Sequence, residues 1–321
     1  MVQTRYILVG LLILLSGFTA QLCAQDSDTN TYCVPGVVGE SPGKGVVLQY
    51  EAMPEPSVRG EDGTRQNLSS IQRAVAKIRI PLMNKLDKKA LLGLRYDKQE
   101  YHFSPSTDTS LLPAGLSDRD MKSFGLALYG IKSLNYKHYL ATRFLASLNG
   151  DYSGLKANSI AFSRFSLALI FGVKRTSHFE YGFGAIIGLW DQSFSALPIA
   201  LVNYTRDRWG IKALLPSEAY FRYSFAPYHI GYAGAEYHGS KYMLDEGLHS
   251  KINSFSTYEH SAFRYGGKWE SRLMKYVWLG LHTGYEISWK LDLEPRNEPP
   301  LFNGNANPNF YLGIDVSLRP E

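Results

Sequence analysis

Residues 277–292 read VWLGLHTGYEISWKLD, and their alternate side chains differ sharply in chemistry. The odd positions are Val277, Leu279, Leu281, Thr283, Tyr285, Ile287, Trp289 and Leu291. The even positions are Trp278, Gly280, His282, Gly284, Glu286, Ser288, Lys290 and Asp292. Successive side chains of an extended chain point to opposite faces, so this stretch has one continuous apolar face and one mostly polar or small face. A helix would scatter both sets around its axis. The run is also far longer than the roughly 5 or 6 residues usual for strands in soluble proteins, and suits a strand that crosses a bilayer at a tilt.

The same pattern recurs along the chain. Phe310, Leu312, Ile314, Val316 and Leu318 alternate with Tyr311, Gly313, Asp315, Ser317 and Arg319. Phe165, Leu167, Leu169 and Phe171 alternate with Arg164, Ser166, Ala168, Ile170 and Gly172. Phe179, Tyr181, Phe183, Ala185, Ile187 and Leu189 alternate with Glu180, Gly182, Gly184, Ile186 and Gly188, and Phe263, Tyr265 and Trp269 with Arg264, Lys268 and Glu270. Strands are expected at 46–53, 69–81, 89–103, 121–132, 137–149, 159–173, 178–190, 196–204, 208–214, 217–225, 229–240, 257–270, 276–290 and 309–319. Short connections (135–136, 174–177, 205–207, 271–275) alternate with longer ones (54–68, 104–120, 150–158, 241–256, 291–308). Short turns at one end and long loops at the other are the pattern of outer-membrane barrels, with the short turns in the periplasm. The expected fold is therefore all-β, an antiparallel up-and-down transmembrane β-barrel of about 14 strands. Twelve is the alternative count, because Pro216 marks either a tight turn or a bulge in one longer strand. The competing architecture, a secreted soluble β-sandwich, calls for shorter strands with turn signals every ~8–12 residues.

The N-terminus points to export. Arg5 precedes an apolar run from Tyr6 to Leu15, and a small-residue region follows. That is the order of a secretory signal peptide, with cleavage expected after Ala24. Lipidation of Cys23 is disfavoured because Leu22 is not the small residue that should precede it, and the apolar run is too short for a spanning helix. The expected organisation is a signal peptide at 1–24, a flexible segment at 25–44 and one barrel domain at 45–321, placed in the outer membrane of a Gram-negative bacterium. After cleavage one cysteine remains, Cys33, which cannot form an internal disulfide and is expected as a surface thiol.

Among 321 residues are 22 Tyr, 16 Phe and 5 Trp, an enrichment that suits strands and the aromatic girdles of a membrane barrel. The net charge of +5 is mild and the basic residues form no blocks, which argues against nucleic-acid binding. The eight histidines are dispersed, no paired-cysteine or His-Glu-x-x-His pattern occurs, and neither a metal nor a cofactor is expected.

Three further features resemble a known family: the end of the signal at Ala24-Gln25, the stretch Leu197-Pro198-Ile199-Ala200-Leu201-Val202-Asn203-Tyr204 followed by Asp207-Arg208-Trp209, and Leu214-Leu215-Pro216-Ser217. Together with the strand pattern they look like an uncharacterised family of outer-membrane β-barrels common in Bacteroidota-type bacteria, a domain of unknown function, over residues 46–320. The resemblance implies fold and location, and it brings no substrate or catalytic residues. The last strand also resembles the C-terminal signal read by the barrel-assembly machinery, although Leu318 rather than a terminal aromatic is its last apolar residue.

If apolar faces meet lipid, the lumen receives Arg143, Arg164, Glu180, Arg222, Arg264, Lys268, Glu270, His282, Glu286 and Asp315, and with them Lys290, Arg272 and Arg319. Mixed charge on adjacent strands can pair across the sheet as a plug, or line a polar path for a small solute. The functions to separate are thus a passive channel or transporter and a non-conducting structural or surface-interaction barrel. A third class rests on His238-Gly239-Ser240, whose spacing matches outer-membrane acyl hydrolases: at i and i+2 the imidazole and hydroxyl share a strand face, so His238 could serve as base to Ser240. Lys241 follows where the phospholipase pattern has Asn-Gly, and no orienting partner for the histidine is evident.

Overall fold

The computed structural model describes residues 32–37, 43–61, 63, 65–103, 116, 119–152, 162–190, 193–244, 256–295 and 302–319. The expected signal peptide, its cleavage point after Ala24 and most of the segment 25–44 lie outside these residues. Fifteen strand segments follow one another: β1 (Val46–Pro54), β2 (Ser57–Gly60), β3 (Arg65–Asn84), β4 (Lys88–Phe103) and β5 (Asp120–Ser133). Next come β6 (His138–Gly150), β7 (Ser163–Thr176), β8 (Phe179–Trp190), β9 (Ser193–Arg206) and β10 (Trp209–Leu215). The chain ends with β11 (Glu218–Ala226), β12 (His229–Leu244), β13 (Ser256–Arg272), β14 (Val277–Pro295) and β15 (Phe302–Leu318). From β2 to β15 each strand pairs antiparallel with the next, and β15 returns to β1 with Val46 opposite Leu318 and Ala52 opposite Leu312. Both β1 and β2 lie between β3 and β15, separated by a kink at Glu55 (φ 48°), and together fill one wall position.

The result is a closed antiparallel barrel of 14 strands. Closure gives every edge a partner, which hydrocarbon demands of a spanning sheet. The twelve-strand alternative fails at Pro216: Ser217 N donates to Leu214 O at 2.7 Å, so β10 and β11 are joined by a tight turn and pair antiparallel. No helix among the described residues is long and apolar enough to cross a membrane.

Outward side chains make an apolar belt that includes Leu126, Phe144, Leu169, Phe183, Phe263, Leu281 and Ile314. At the short-turn end this belt becomes aromatic: Phe225 stacks on Trp269 at 5.1 Å, Tyr204 meets Trp209 at 5.4 Å, and the Arg272 guanidinium lies 3.7 Å from the Tyr228 ring centroid. Arg272, expected in the lumen, belongs to this girdle, where a cation over a ring is favourable. Toward the other end the outer surface turns ionic, with Lys98 between Glu100 and Asp120, and Lys290 between Glu259 (3.0 Å) and Asp292 (3.1 Å). These two boundaries bracket the height of the apolar belt.

Lys290 departs from expectation, and a bulge is the reason. A register shift after Ser288, which places an extra residue on β14 relative to both neighbours, exchanges its two faces. Beyond it Leu291 (3% exposed) and Leu293 point inside, while Lys290 turns out to meet Glu259. Inside, at the long-loop end, Met53, Leu68, Tyr101, Met121, Tyr242, Leu244, Tyr258, Leu291, Leu293 and Phe302 pack into an apolar cap, with Tyr258 donating to Tyr101 Oη at 2.8 Å.

The cap is enclosed by only part of the wall. Glu218 opposite Glu236 is the last pair between β11 and β12, and residues 237–244 of β12 rise past β11 to reach β6. There Met243 pairs with Gly150, and Asp151 N donates to Met243 O at 3.2 Å. The long-loop end thus closes through β12–β15, β1/β2 and β3–β6, leaving β7–β11 as a lower wall beside it.

A row of paired glycines, Gly234, Gly266 and Gly284 on β12, β13 and β14, lets three backbones approach closely. A Cβ on Gly266 would lie 2.2 Å from Thr283 O. We expect Gly266→Val to lose at least about 1–3 kcal/mol to overpacking, read as depletion of the folded, heat-modifiable band on an unboiled gel.

Candidate functional site: the charged lumen

Because strand alternation sends every second residue inward, several acidic and basic side chains converge below the apolar cap. Arg264 Nε donates to Glu286 Oε2 at 2.6 Å and its Nη1 to Glu51 Oε2 at 3.0 Å. Glu51 Oε1 lies 3.0 Å from His282 Nε2, and His260 Nε2 lies 2.8 Å from Ser288 Oγ and 3.2 Å from Glu286 Oε1. Arg73 and Arg95 both donate to Asp97 Oδ2 at 2.6 Å. Nearer the short-turn end, Lys44 reaches Glu270 at 2.9 Å and Asp315 at 3.0 Å, Lys268 reaches Asp315 at 3.0 Å, and Arg319 Nη1 donates to Glu270 Oε2 at 2.8 Å. These groups are buried in pairs and triads, the arrangement that makes buried charge tolerable.

On the opposite wall Glu180 accepts from Tyr139 Oη at 2.8 Å and from Asn203 Nδ2 at 3.2 Å, and Arg222 Nη2 donates to Thr205 Oγ1 at 2.6 Å. Glu180 has one more partner. Residues 32–37 lie at the short-turn end of the interior, where Gly36 N donates to Glu180 Oε2 at 2.6 Å. Cys33 N donates to Asn135 O (3.0 Å) and Ser133 Oγ (2.7 Å), and Lys174 Nζ to Val34 O (2.8 Å). Cys33, expected at the surface, is 3% exposed, and burial pushes its thiol pKa up.

The interior is not filled. A cavity of about 380 Å³ is bounded by Arg79, Arg222, Tyr220, Tyr232, Tyr311, Gly234 and Gly266, and another of about 280 Å³ by Arg73, Lys77, Arg95 and His238. The two share Lys44, Gln49, Glu51, Arg79, Glu236, Arg264 and Lys268. Water reaches this space on the side of the lower wall: on their inward faces Leu197 is 47% exposed and the Lys212 side chain 46%.

Of the residues singled out from sequence, Glu180, Arg222, Arg264, Lys268, Glu270, His282, Glu286 and Asp315 project into this interior and take part in the contacts above. Arg143 is half-buried on the inward face of β6, and Arg164 on β7 is exposed. Sequence reasoning missed Lys44, Glu51, Arg73, Lys77, Arg79 and Asp97. The signal was present in residues 73–80, where Arg73, Val75, Lys77 and Arg79 alternate with Ala74, Ala76, Ile78 and Ile80.

His238 and Ser240 also face the lumen, yet no hydrogen bond joins them. His238 Nδ1 lies 3.3 Å from Arg73 Nη1, and its ring is 6.2 Å from that of His260. A permanently charged guanidinium thus occupies the side where an orienting carboxylate would serve a general base. Glu236 is engaged by the Tyr220 hydroxyl at 2.8 Å. Among the described residues no group of three potential metal ligands occurs.

Several solved structures are similar to this chain. A Pseudomonas aeruginosa FadL homologue is 9% identical (86% of this chain, 90% of that one, TM-score 0.41), and the P. putida toluene transporter TodX is 9% identical (86% and 90%, TM-score 0.33). A bacterial polysaccharide outer membrane secretin is 10% identical (86% and 98%, TM-score 0.37). No curated protein matches the chain. The family model that does match, over residues 37–319, is the domain of unknown function DUF6268, and the chain belongs to that family.

Proposed function

We propose that this protein is a passive channel for a small solute in the outer membrane of a Gram-negative bacterium, exported by its signal peptide and inserted by the barrel-assembly machinery. The observation that carries this reading is the wet, charged space inside a closed wall: two cavities of about 380 and 280 Å³ that share lining residues, the larger bordered by the half-exposed Lys212 of β10 and by Glu218, Tyr220 and Arg222 of β11. A barrel needed only as a scaffold gains nothing from leaving inward groups such as Lys212 and Arg95 exposed, whereas a solute path requires polar walls in contact with water. The apolar cap blocks the long-loop end over β12–β15 and β1–β6, so the path runs along the lower wall. Residues 32–37 narrow the other end.

Purified protein in planar bilayers is expected to give discrete conductance steps, and liposomes carrying it to swell in small uncharged or anionic solutes. Absence of both responses from folded protein removes the channel reading in favour of a non-conducting surface barrel.

A further inference from the structure

We propose that the lumen contains an oxyanion-binding station at Lys77 and Arg79, supported by Arg95, and that its ligand is a small organic anion bearing a carboxylate or phosphate group. This deepens the channel reading and rests on it for its physiological meaning, but the site itself stands on separate observations.

The first is charge. The two joined cavities are lined by nine lysines and arginines against five aspartates and glutamates. Four of the nearby carboxylates are committed to cations: Asp97 to Arg73 and Arg95, Glu51 to Arg264, Arg73 and His282, and Glu270 with Asp315 to Lys44, Lys268 and Arg319, while Glu218 pairs with Lys212 and Glu236, which lines both cavities, accepts from the Tyr220 hydroxyl. Among the described residues no carboxylate lies within ion-pair distance of Lys77 or Arg79. Lys77 instead stands in the electrostatic range of three guanidinium groups, Arg73, Arg79 and Arg95, against one carboxylate, Asp97, which Arg73 and Arg95 already hold. Crowding like charges inside a wall of low dielectric is unfavourable, and a bound anion relieves it.

The second is access and shape. Arg95 keeps 45% of its side chain exposed and Arg79 is exposed on the inward face of β3, so a ligand can reach both forks. Guanidinium groups present paired N–H donors that match the two oxygens of a carboxylate or phosphate. Arg79 also borders the larger cavity, where Tyr220, Tyr232 and Tyr311 beside Gly234 and Gly266 offer aromatic surface for the organic part. The volume is ample for a single-ring acid.

The test uses the full mature chain in detergent at low salt, titrated calorimetrically with benzoate, inorganic phosphate and benzyl alcohol. Benzoate is expected to bind and benzyl alcohol not to; the double variant Lys77→Ala/Arg79→Ala should weaken the anion by at least about tenfold. Phosphate binding more tightly than benzoate assigns the phosphate form of the ligand, and the reverse order the carboxylate form. Lack of binding by both anions, equal binding of benzyl alcohol, or unchanged affinity in the variant overturns the station. Should the alanine pair fail to fold, Lys77→Gln/Arg79→Gln serves in its place, with heat-modifiable mobility as the folding control. Binding without bilayer conductance would remove the channel and leave the station; conductance without binding would do the opposite.

Discussion

Arg264→Ala is expected to destabilise the folded barrel by about 3–5 kcal/mol, the cost of removing one partner from a buried ion pair. The side chain bridges two carboxylates, Glu286 at 2.6 Å and Glu51 at 3.0 Å, and its guanidinium lies 5.0 Å from the centroid of the Tyr311 ring. Truncation takes from both acidic groups their closest permanent cation, leaving Glu51 with Arg73, His282 and Gln49 and Glu286 with His260 and Ser288. Guanidinium unfolding in detergent, followed by tryptophan fluorescence, measures the loss. Arg95→Ala is the control, because its side chain is 45% exposed and an exposed pair contributes ~0–1 kcal/mol. If the two variants lose equal stability, the central network is not a buried, interdependent unit. Combining Arg264→Met with Glu51→Gln and Glu286→Gln should recover much of the loss, since no lone charge is then left buried.

Deleting residues 25–37 from the mature chain is expected to raise single-channel conductance several-fold. The described part of that stretch lies across the short-turn end of the lumen, held by the Gly36 to Glu180 bond, the Cys33 bonds to Ser133 and Asn135, and Lys174 to Val34. It buries Cys33 and Val37 without making a strand, so its removal leaves the wall intact. Glu180→Gln should produce a weaker form of the same change, because a hydrogen bond to a charged acceptor contributes about 1.5–3 kcal/mol and the neutral amide keeps only part of it. Identical conductance in the parent and the deletion would mean that the segment does not obstruct the path.

Much of this fold is legible in the sequence because a membrane wall imposes one rule on every strand. Residues 277–287 obey it, and so do 310–318: odd or even sets face lipid and are apolar, and the other set is polar. Strand number follows once Pro216 is recognised as a turn residue. The rule fails above the hydrocarbon, where the interior is itself apolar. Leu291 continues the apolar series in sequence but lies inside the cap, since a bulge that leaves no mark on the alternation has exchanged the faces. Lys290 was assigned to the lumen for the same reason. The station at Lys77 and Arg79 was readable from local alternation alone, whereas its want of counter-charges depends on which distant carboxylates are spent elsewhere, a fact of three-dimensional pairing. Residues 32–37 have no periodic signal, and their docking is set by single backbone bonds to the turn at Asn135 and to Glu180.

The contact between β6 and β12 bears on the order in which the molecule can be put together. Gly150 and Met243 meet across five intervening strands, so the cap cannot be sealed until residues 163–226 have emerged and turned back on themselves. The entropy of closing that long excursion is spent before the cap's apolar contacts repay it. Packing at this end is therefore a late gain of assembly rather than its seed, and the growing hairpins of β7–β11 must hold their place in the membrane without help from the apolar cap.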